Sequence, residues 1–440
     1  MPAKIYFDGL NLGLKRGTGV ATYTRVLAGL SQGLGHRTGV LYASPRRLPK
    51  NPLDREVAFF DHGTDKAELP LSSTLRALGF VSQMASAGFG IKPQMVPRGG
   101  VVVTEPHMSP WRDSDDVFAS PNVFDLSRSY FTVSGQLLPV HFETPPDVFH
   151  WTYPLPMRAK GAANIYTIHD LVPLRLPYTT RDWKRYYIRS MRAILKHADR
   201  IVTVSENSKR DIVTLFGVDE SRIVNTYQAV NIPPDLVART KDAVAEELAG
   251  IFGLDYGRYL LFYGSFEPKK NLGRIVQAYL AAQVKLPLVV VMAQEWQSEA
   301  ETRLLNQVLE EDKAYCSVPE ARRIRRYEYL PSRLLMTLLQ GARALVFPSL
   351  YEGFGLPVLE AMTLGTAVIT SNTAAVPEIA GDACLTVNPY QVDELREAIR
   401  AVCHDDDLRA DLASKGLVRA KIFAPEAYRA RIATLYAPYL

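Results

Sequence analysis

The sequence predicts an α/β protein of two doubly wound, parallel-sheet domains facing a cleft, and three observations carry that expectation. At 440 residues the chain is too long for one ordinary core. Short apolar runs, such as residues 259–264 and 344–347, alternate with stretches at helical spacing, as strands joined in parallel through helices do. A strand, a glycine-containing loop and a helix follow one another at the start of the chain and again at residues 344–362.

The bulk properties bound the function. A hydrophobic share of 47% against a charged share of 22% fits a folded chain rather than a disordered one. Lys and Arg number 51 against 46 Asp and Glu, a mild basic excess that suits anionic substrates or lipid headgroups and makes no case for nucleic acid. Cys316, Cys384 and Cys403 are widely spaced, without a Cys-x-x-Cys or a neighbouring His cluster, which argues against a structural metal and a disulfide framework and for a reducing compartment. With no apolar run near the roughly 18 residues of a membrane span, the chain reads as cytoplasmic.

In chain order, residues 5–7 form the first strand, and Gly17-Thr18-Gly19 closes the loop before a helix marked by Val20, Tyr23, Val26, Leu27 and Leu30. A Gly-x-Gly alone also fits a flexible connector; its place after the first strand favours backbone donors aimed at phosphate. Residues 45–145 carry no readable chemistry, and the lone His107, Trp111, His141 and His150 read as packed side chains. Residues 148–151 and 165–168 are strands, the second ending in His169-Asp170, a polar pair projecting into the crevice of a doubly wound sheet. A basic, amphipathic helix covers 181–197, with Trp183, Tyr186, Tyr187, Met191, Ile194 and Leu195 on its apolar stripe. A strand at 200–205 and a helix at 209–216 follow, and the first domain ends near 235.

The second domain opens with the strand at 259–264. Ser265, Lys269 and Lys270 follow it where a helix begins, so Lys270 adds a point charge to the dipole of a solvent-facing helix start, a diphosphate site in physical terms. Further strands are expected at 286–292, 322–330, 343–347 and 367–370. After the fourth, Gly353 and Gly355 allow a tight turn and Pro357 suits a helix's first turn. Glu352 and Glu360 flank this phosphate-like site. Sugar hydroxyls donate well to carboxylates, so the implied ligand is part phosphate and part polyol.

The run Glu352-x7-Glu360, with Gly353-Phe354-Gly355-Leu356-Pro357 inside it, resembles the donor site of family-four retaining glycosyltransferases of the GT-B fold. Residues 167–174 and the run Glu267-Pro268-Lys269-Lys270-Asn271 resemble bacterial mannosyltransferases of O-antigen and exopolysaccharide assembly. The resemblance implies an acceptor-side domain at 1–235, a nucleotide-sugar domain at 236–424 and a helix at 425–440 crossing back onto the first. It places Gly17, Thr18 and Gly19 over the donor diphosphate, His169 and Glu352 on the transferred sugar with Asp170 beside them, and Glu360 on the ribose. Lys270 and Lys269, with the helix dipoles, would stabilise the departing diphosphate. The family commonly has Arg where this chain has Ser265, which lacks a guanidinium's charge and bidentate grip.

No dedicated nucleophile, cofactor or metal is implied. The expected reaction moves a hexose, first mannose from GDP-mannose, to a saccharide or lipid-linked acceptor. A sugar-nucleotide epimerase of the same fold and a non-catalytic sugar-nucleotide sensor are the alternatives. The basic helix at 181–197 offers a face for an anionic membrane surface, which would make the protein peripheral to the inner membrane face.

Overall fold

The computed structural model describes the chain except for residues 1, 14–18, 46, 62–82, 101, 103–113, 181, 294–298 and 316–322, and the side chains of 293 and 299–302. The readings placed on Gly17, Thr18, His107, Trp111 and Cys316 therefore lie outside the described residues.

Along the first half run β1 (Lys4–Asp8), β2 (Arg37–Ser44), β3 (Gln94–Met95), β4 (Asp116–Pro121), β5 (Leu138–Val140), β6 (Val148–Trp151), β7 (Met157–Ala159), β8 (Ala163–Ile168), β9 (Arg200–Thr203) and β10 (Ile223–Asn225). Eight of these form one sheet in the order β10-β9-β8-β6-β1-β2-β4-β3, while β5 and β7 pair separately. Within the large sheet only β3 runs antiparallel to its neighbour. The second half holds β11 (Leu260–Ser265), β12 (Leu288–Ala293), β13 (Ile324–Tyr327), β14 (Ala344–Phe347), β15 (Ala367–Ser371) and β16 (Leu385–Val387), all parallel in the order β13-β12-β11-β14-β15-β16. Helices cover both faces, so central strands such as β14 are apolar at every position and wholly buried.

Strand order reverses beside β1, which lies between β2 and β6, and beside β11, which lies between β12 and β14. At such reversals the carboxyl ends of the strands open a crevice, where doubly wound sheets hold ligands. Each half therefore presents one crevice.

Several boundaries differ from the sequence reading for local reasons. β2 was not anticipated: Gly39 interrupts its pattern because it lies under the Tyr6 ring, where a Cβ would stand 2.6 Å from a ring carbon. The strand expected to reach 205 stops at Thr203, since the Ser205 side chain accepts from the Ser208 N–H and caps the helix Glu206–Phe216, which starts three residues before Lys209. β16 adds a sixth strand to the second sheet.

One apolar cluster joins the inner face of the first sheet (Ile5, Phe7, Val40) to Tyr428, Ile432 and Tyr436 of the terminal helix Pro425–Tyr436, and on into the second sheet. That helix lies against the helix Gly19–Gly33: the Arg429 guanidinium donates to the Gly33 carbonyl, and the Tyr436 hydroxyl meets His150 Nδ1 at 2.7 Å. The other face of the first sheet packs Met191, Ile194 and Leu195 of the helix Lys184–His197. Trp183, expected on that stripe, precedes the helix and is 61% exposed. Among the described residues no helix is long and apolar enough to cross a membrane.

Candidate functional site

The second crevice is built by the turns that leave β11 and β14. Gly355, at φ 107°, holds a left-handed conformation open mainly to glycine, and its carbonyl takes the N–H groups of Val358 and Leu359 at the start of the helix Leu356–Thr363. On the β11 side, Lys270 ends a 3-10 turn, and Asn271 fastens that turn to its neighbours by donating to the carbonyls of Pro348 (3.0 Å) and Pro389 (2.7 Å). The two turns meet through an ion pair: Lys270 Nζ donates to Glu352 Oε1 at 2.6 Å and lies 5.0 Å from the Phe347 ring centroid. Their side chains are 12% and 10% exposed. This corrects the expectation of a solvent-facing lysine, because Phe347 and Glu352 close over it.

Glu267 gathers the nearby polar groups. Ser265 Oγ donates to Glu267 Oε1 at 2.5 Å, and Lys269 Nζ lies 3.4 Å from Glu267 Oε2. Burial pulls the Lys269 ammonium down, but Asp170, Glu352 and Glu267 outweigh it and hold Lys269 above the ordinary lysine range. Lys269 thus stays charged between carboxylates of both halves.

Glu360 accepts from the Tyr263 hydroxyl through Oε2, and burial pushes its carboxyl up from 4.5 to about 7, with the Tyr263 hydrogen bond opposing. Ribose hydroxyls donating to Glu360 would favour its charged form and lower that value, so donor binding would release a proton. A nucleotide that set its ribose on Glu360 would therefore bind more tightly as pH rises to about 7, with no further gain above it. Glu360→Gln should flatten this profile and weaken binding by about 1–3 kcal/mol, the range for charged hydrogen bonds. Calorimetric titrations between pH 5.5 and 8.5, set around the ordinary and shifted carboxyl values, check both; a pH-independent wild-type affinity removes Glu360 from the ribose.

From the first half come His169 and Asp170, directly after β8. His169 Nε2 lies 2.9 Å from the Thr152 carbonyl, which only accepts, so Nε2 carries the proton. The Tyr23 ring meets the imidazole edge-on at 4.8 Å. Burial lowers the His169 pKa despite the Thr152 bond and Asp170, which leaves a neutral ring with Nδ1 as an acceptor. Asp170 Oδ1 accepts from the Val172 N–H at 3.1 Å, just ahead of the short helix Val172–Arg175.

The halves touch at this point. A Cβ on Gly353 would stand 2.2 Å from the His169 carbonyl oxygen and 3.0 Å from Asp170 Cβ, and one on Gly19 would stand 3.4 Å from Leu356 Cδ1. The fold thus brings His169, Asp170, Gly19, Lys269, Lys270, Glu352, Gly353 and Leu356 to one cleft. Phe354 does not line it: that ring is buried against Phe423 at 5.6 Å. Ser265 lies exposed at the rim.

Sequence reasoning missed the groups that clasp the halves. Glu378 accepts from the backbone N–H groups of Glu206 (2.8 Å) and Asn207 (3.2 Å), capping a helix of the first half with a carboxylate of the second. Tyr351 donates to Asp211, which also pairs with Arg175. Asp211 sits on the buried face of its helix beside Ser208 and Ile212, and an acid at helical spacing from Ile212 and Ser208 was the faint signal available. Among the described residues no group of three His, Cys, Asp or Glu side chains is arranged to hold a metal ion.

Comparison with known proteins agrees with this architecture. Residues 71–232 match the family described as Glycosyltransferase Family 4, and residues 253–418 match Glycosyl transferases group 1. The O-antigen chain mannosyltransferase B of Escherichia coli is 33% identical over 277 residues, 62% of this chain and 69% of that protein. The serotype-specific mannosyltransferase WbdA of the same species is 26% identical over 266 residues, 58% of this chain and only 31% of its own length. Among solved structures, Anabaena HepE in complex with UDP and glucose superimposes with a TM-score of 0.65 at 12% identity, covering 99% of this chain and 100% of that one. The glycosyltransferase WaaG, involved in lipopolysaccharide biosynthesis, gives 0.60 at 15% identity over 97% and 99%.

Proposed function

The chain belongs to the family 4 glycosyltransferases of the GT-B fold, and on that premise we propose that it moves mannose from GDP-mannose, with retention, to a saccharide or lipid-linked acceptor in polysaccharide assembly. The observation that carries this reading is the meeting of Lys270, Glu352 and Lys269 with His169 and Asp170 across the Gly353 contact. The names of the relatives, both mannosyltransferases and one of them of O-antigen chains, support the sugar.

In this reading the donor's diphosphate lies at the start of the Leu356–Thr363 helix, beside Lys270 and Lys269. Both cations and the dipole favour the charge that grows on the leaving oxygen as the glycosidic bond breaks. That oxygen then takes the proton of the acceptor hydroxyl, so no side-chain base is required. The neutral His169 accepts a sugar hydroxyl at Nδ1, Glu352 holds another beside Lys270, and Glu360 takes the ribose. No cofactor or metal has a part in these steps.

Two other readings remain distinct in outcome. A sugar-nucleotide epimerase would interconvert donors without an acceptor, and a sensor would bind without turnover. Purified protein incubated with radiolabelled GDP-mannose and acceptor extract, with and without chelator, separates them. Chelator-insensitive transfer of label is expected. Isomerised nucleotide sugar or binding alone would overturn the reading.

The helix Lys184–His197 bears on location. Lys184 Nζ is held by the Thr180 carbonyl and hydroxyl, and Arg189 lies 5.8 Å from the Phe131 ring centroid, while Arg185 points to solvent. Each free cation near an anionic bilayer contributes about 1 kcal/mol. Flotation should therefore recover the protein with anionic vesicles at low salt and not with neutral ones. Changing Lys184, Arg185 and Arg189 together to Glu should abolish recovery; equal recovery from both vesicle types returns the helix to a packing role alone.

A further inference from the structure

Asp8 is a buried carboxylate that the reaction scheme above leaves unused. It ends β1 at the strand-order reversal of the first sheet, where a doubly wound fold opens its ligand crevice. Only 1% of its surface is exposed. Its Oδ2 accepts from the Thr152 N–H at 2.5 Å and from the Thr152 hydroxyl at 2.9 Å, and the Thr24 hydroxyl reaches Thr152 Oγ1 at 2.9 Å. Oδ1 forms no well-directed hydrogen bond, and the backbone of Leu10 and Tyr153 also favours the charged carboxylate. Burial pushes this carboxyl up to about 6, so the fold retains a charge that the site makes costly.

Thr152 follows β6, on the other side of the same crevice, and its carbonyl is the group that receives His169 Nε2–H. Asp8 therefore grips both polar hydrogens of the residue that fixes the imidazole. We infer that Asp8 is a positioning residue: by clamping Thr152 it aims the carbonyl that holds His169 in its Nε2–H tautomer, so that Nδ1 is presented as an acceptor to the transferred sugar. This rests on the sugar-side role proposed for His169. A brace that merely joined β1 to β6 would need one hydrogen bond between neighbouring strands, whereas here one carboxylate oxygen takes both polar hydrogens of a residue with a second task.

The test is a double-variant cycle on the full chain. Asp8→Asn keeps one acceptor for Thr152 and removes the charge. Its kcat should fall about ten- to a hundredfold, the usual cost of removing a group that orients an active residue, with donor KM within about threefold. In a His169→Ala background the same change should have no further effect, because groups acting as a unit are not additive. Nitrogen NMR of histidine-labelled protein should show bare Nδ1 and protonated Nε2 at His169 in the wild type, and a mixture in Asp8→Asn. Thr152→Val, which keeps the backbone groups and loses the hydroxyl, should lower kcat by a smaller factor and serves if Asp8→Asn does not fold. If His169→Ala turns over normally, the role of His169 fails and this proposal with it. Should His169→Ala be slow while Asp8→Asn slows both backgrounds equally, or leaves the tautomer unchanged, Asp8 alone loses its role.

Discussion

Gly353→Ala is expected to lower kcat/KM by about a hundredfold, on the scale of an ångström-sized displacement at a reacting centre. The added Cβ would stand 2.2 Å from the His169 carbonyl oxygen and 2.9 Å from its carbon, and backbone atoms have no rotamer by which to escape. That carbonyl is also held by Ser208 Oγ at 2.8 Å. Relief requires the halves to move apart, or His169 to be pushed back toward Tyr23. Either movement separates His169 from Lys269 and Lys270. Donor affinity should change much less, since Lys270 and Glu360 belong to the second half. Stability should fall by about 1–3 kcal/mol, as overpacking costs elsewhere. Steady-state kinetics beside calorimetric donor binding read both effects, and turnover within about threefold of wild type would show that closure at this contact is not needed.

The second large effect belongs to Lys270→Ala. Removing a charge that stabilises a departing group costs about a hundred- to a thousandfold in kcat. The structure adds a stability cost, because Glu352 would be left buried without its partner, a change on the order of 3–5 kcal/mol for buried pairs. The double variant Lys270→Met with Glu352→Gln removes both charges and should recover most of the stability but none of the turnover. Thermal unfolding and single-turnover transfer distinguish the two losses. Bare nucleoside, which lacks the diphosphate, should bind both variants like wild type.

These two sites show where the sequence was informative. Residues 344–362 disclosed a strand, a glycine turn and a helix because each part carries a local signal: an unbroken apolar run, residues free to adopt positive φ, and a proline in the first turn. His169 and Asp170 were legible because they follow β8 at once, and the end of a parallel strand has a defined place in the fold. The touching of Gly353 and His169 was not, since it joins residues 184 positions apart and depends on how two sheets are set against each other. The burial of Lys270 was missed for the same reason: its cover comes from Phe347 and Glu352, far along the chain. Glu378 gave no sign of its contact, as an acid in the first turn of a short helix looks like any dipole-matched surface residue until Glu206 and Asn207 are seen above it. β2 was hidden because Gly39 serves Tyr6 rather than its own strand.

In the proposed reaction this cleft transfers a sugar with retention, using the leaving diphosphate rather than a dedicated base. Its most direct test is the anomeric configuration of the isolated product, read by NMR after wild-type turnover with an α-configured nucleotide sugar. An α-linked glycoside is expected, formed at a rate that collapses in Lys270→Ala. A β-linked product, or free sugar and altered nucleotide sugar with no glycoside, would contradict it.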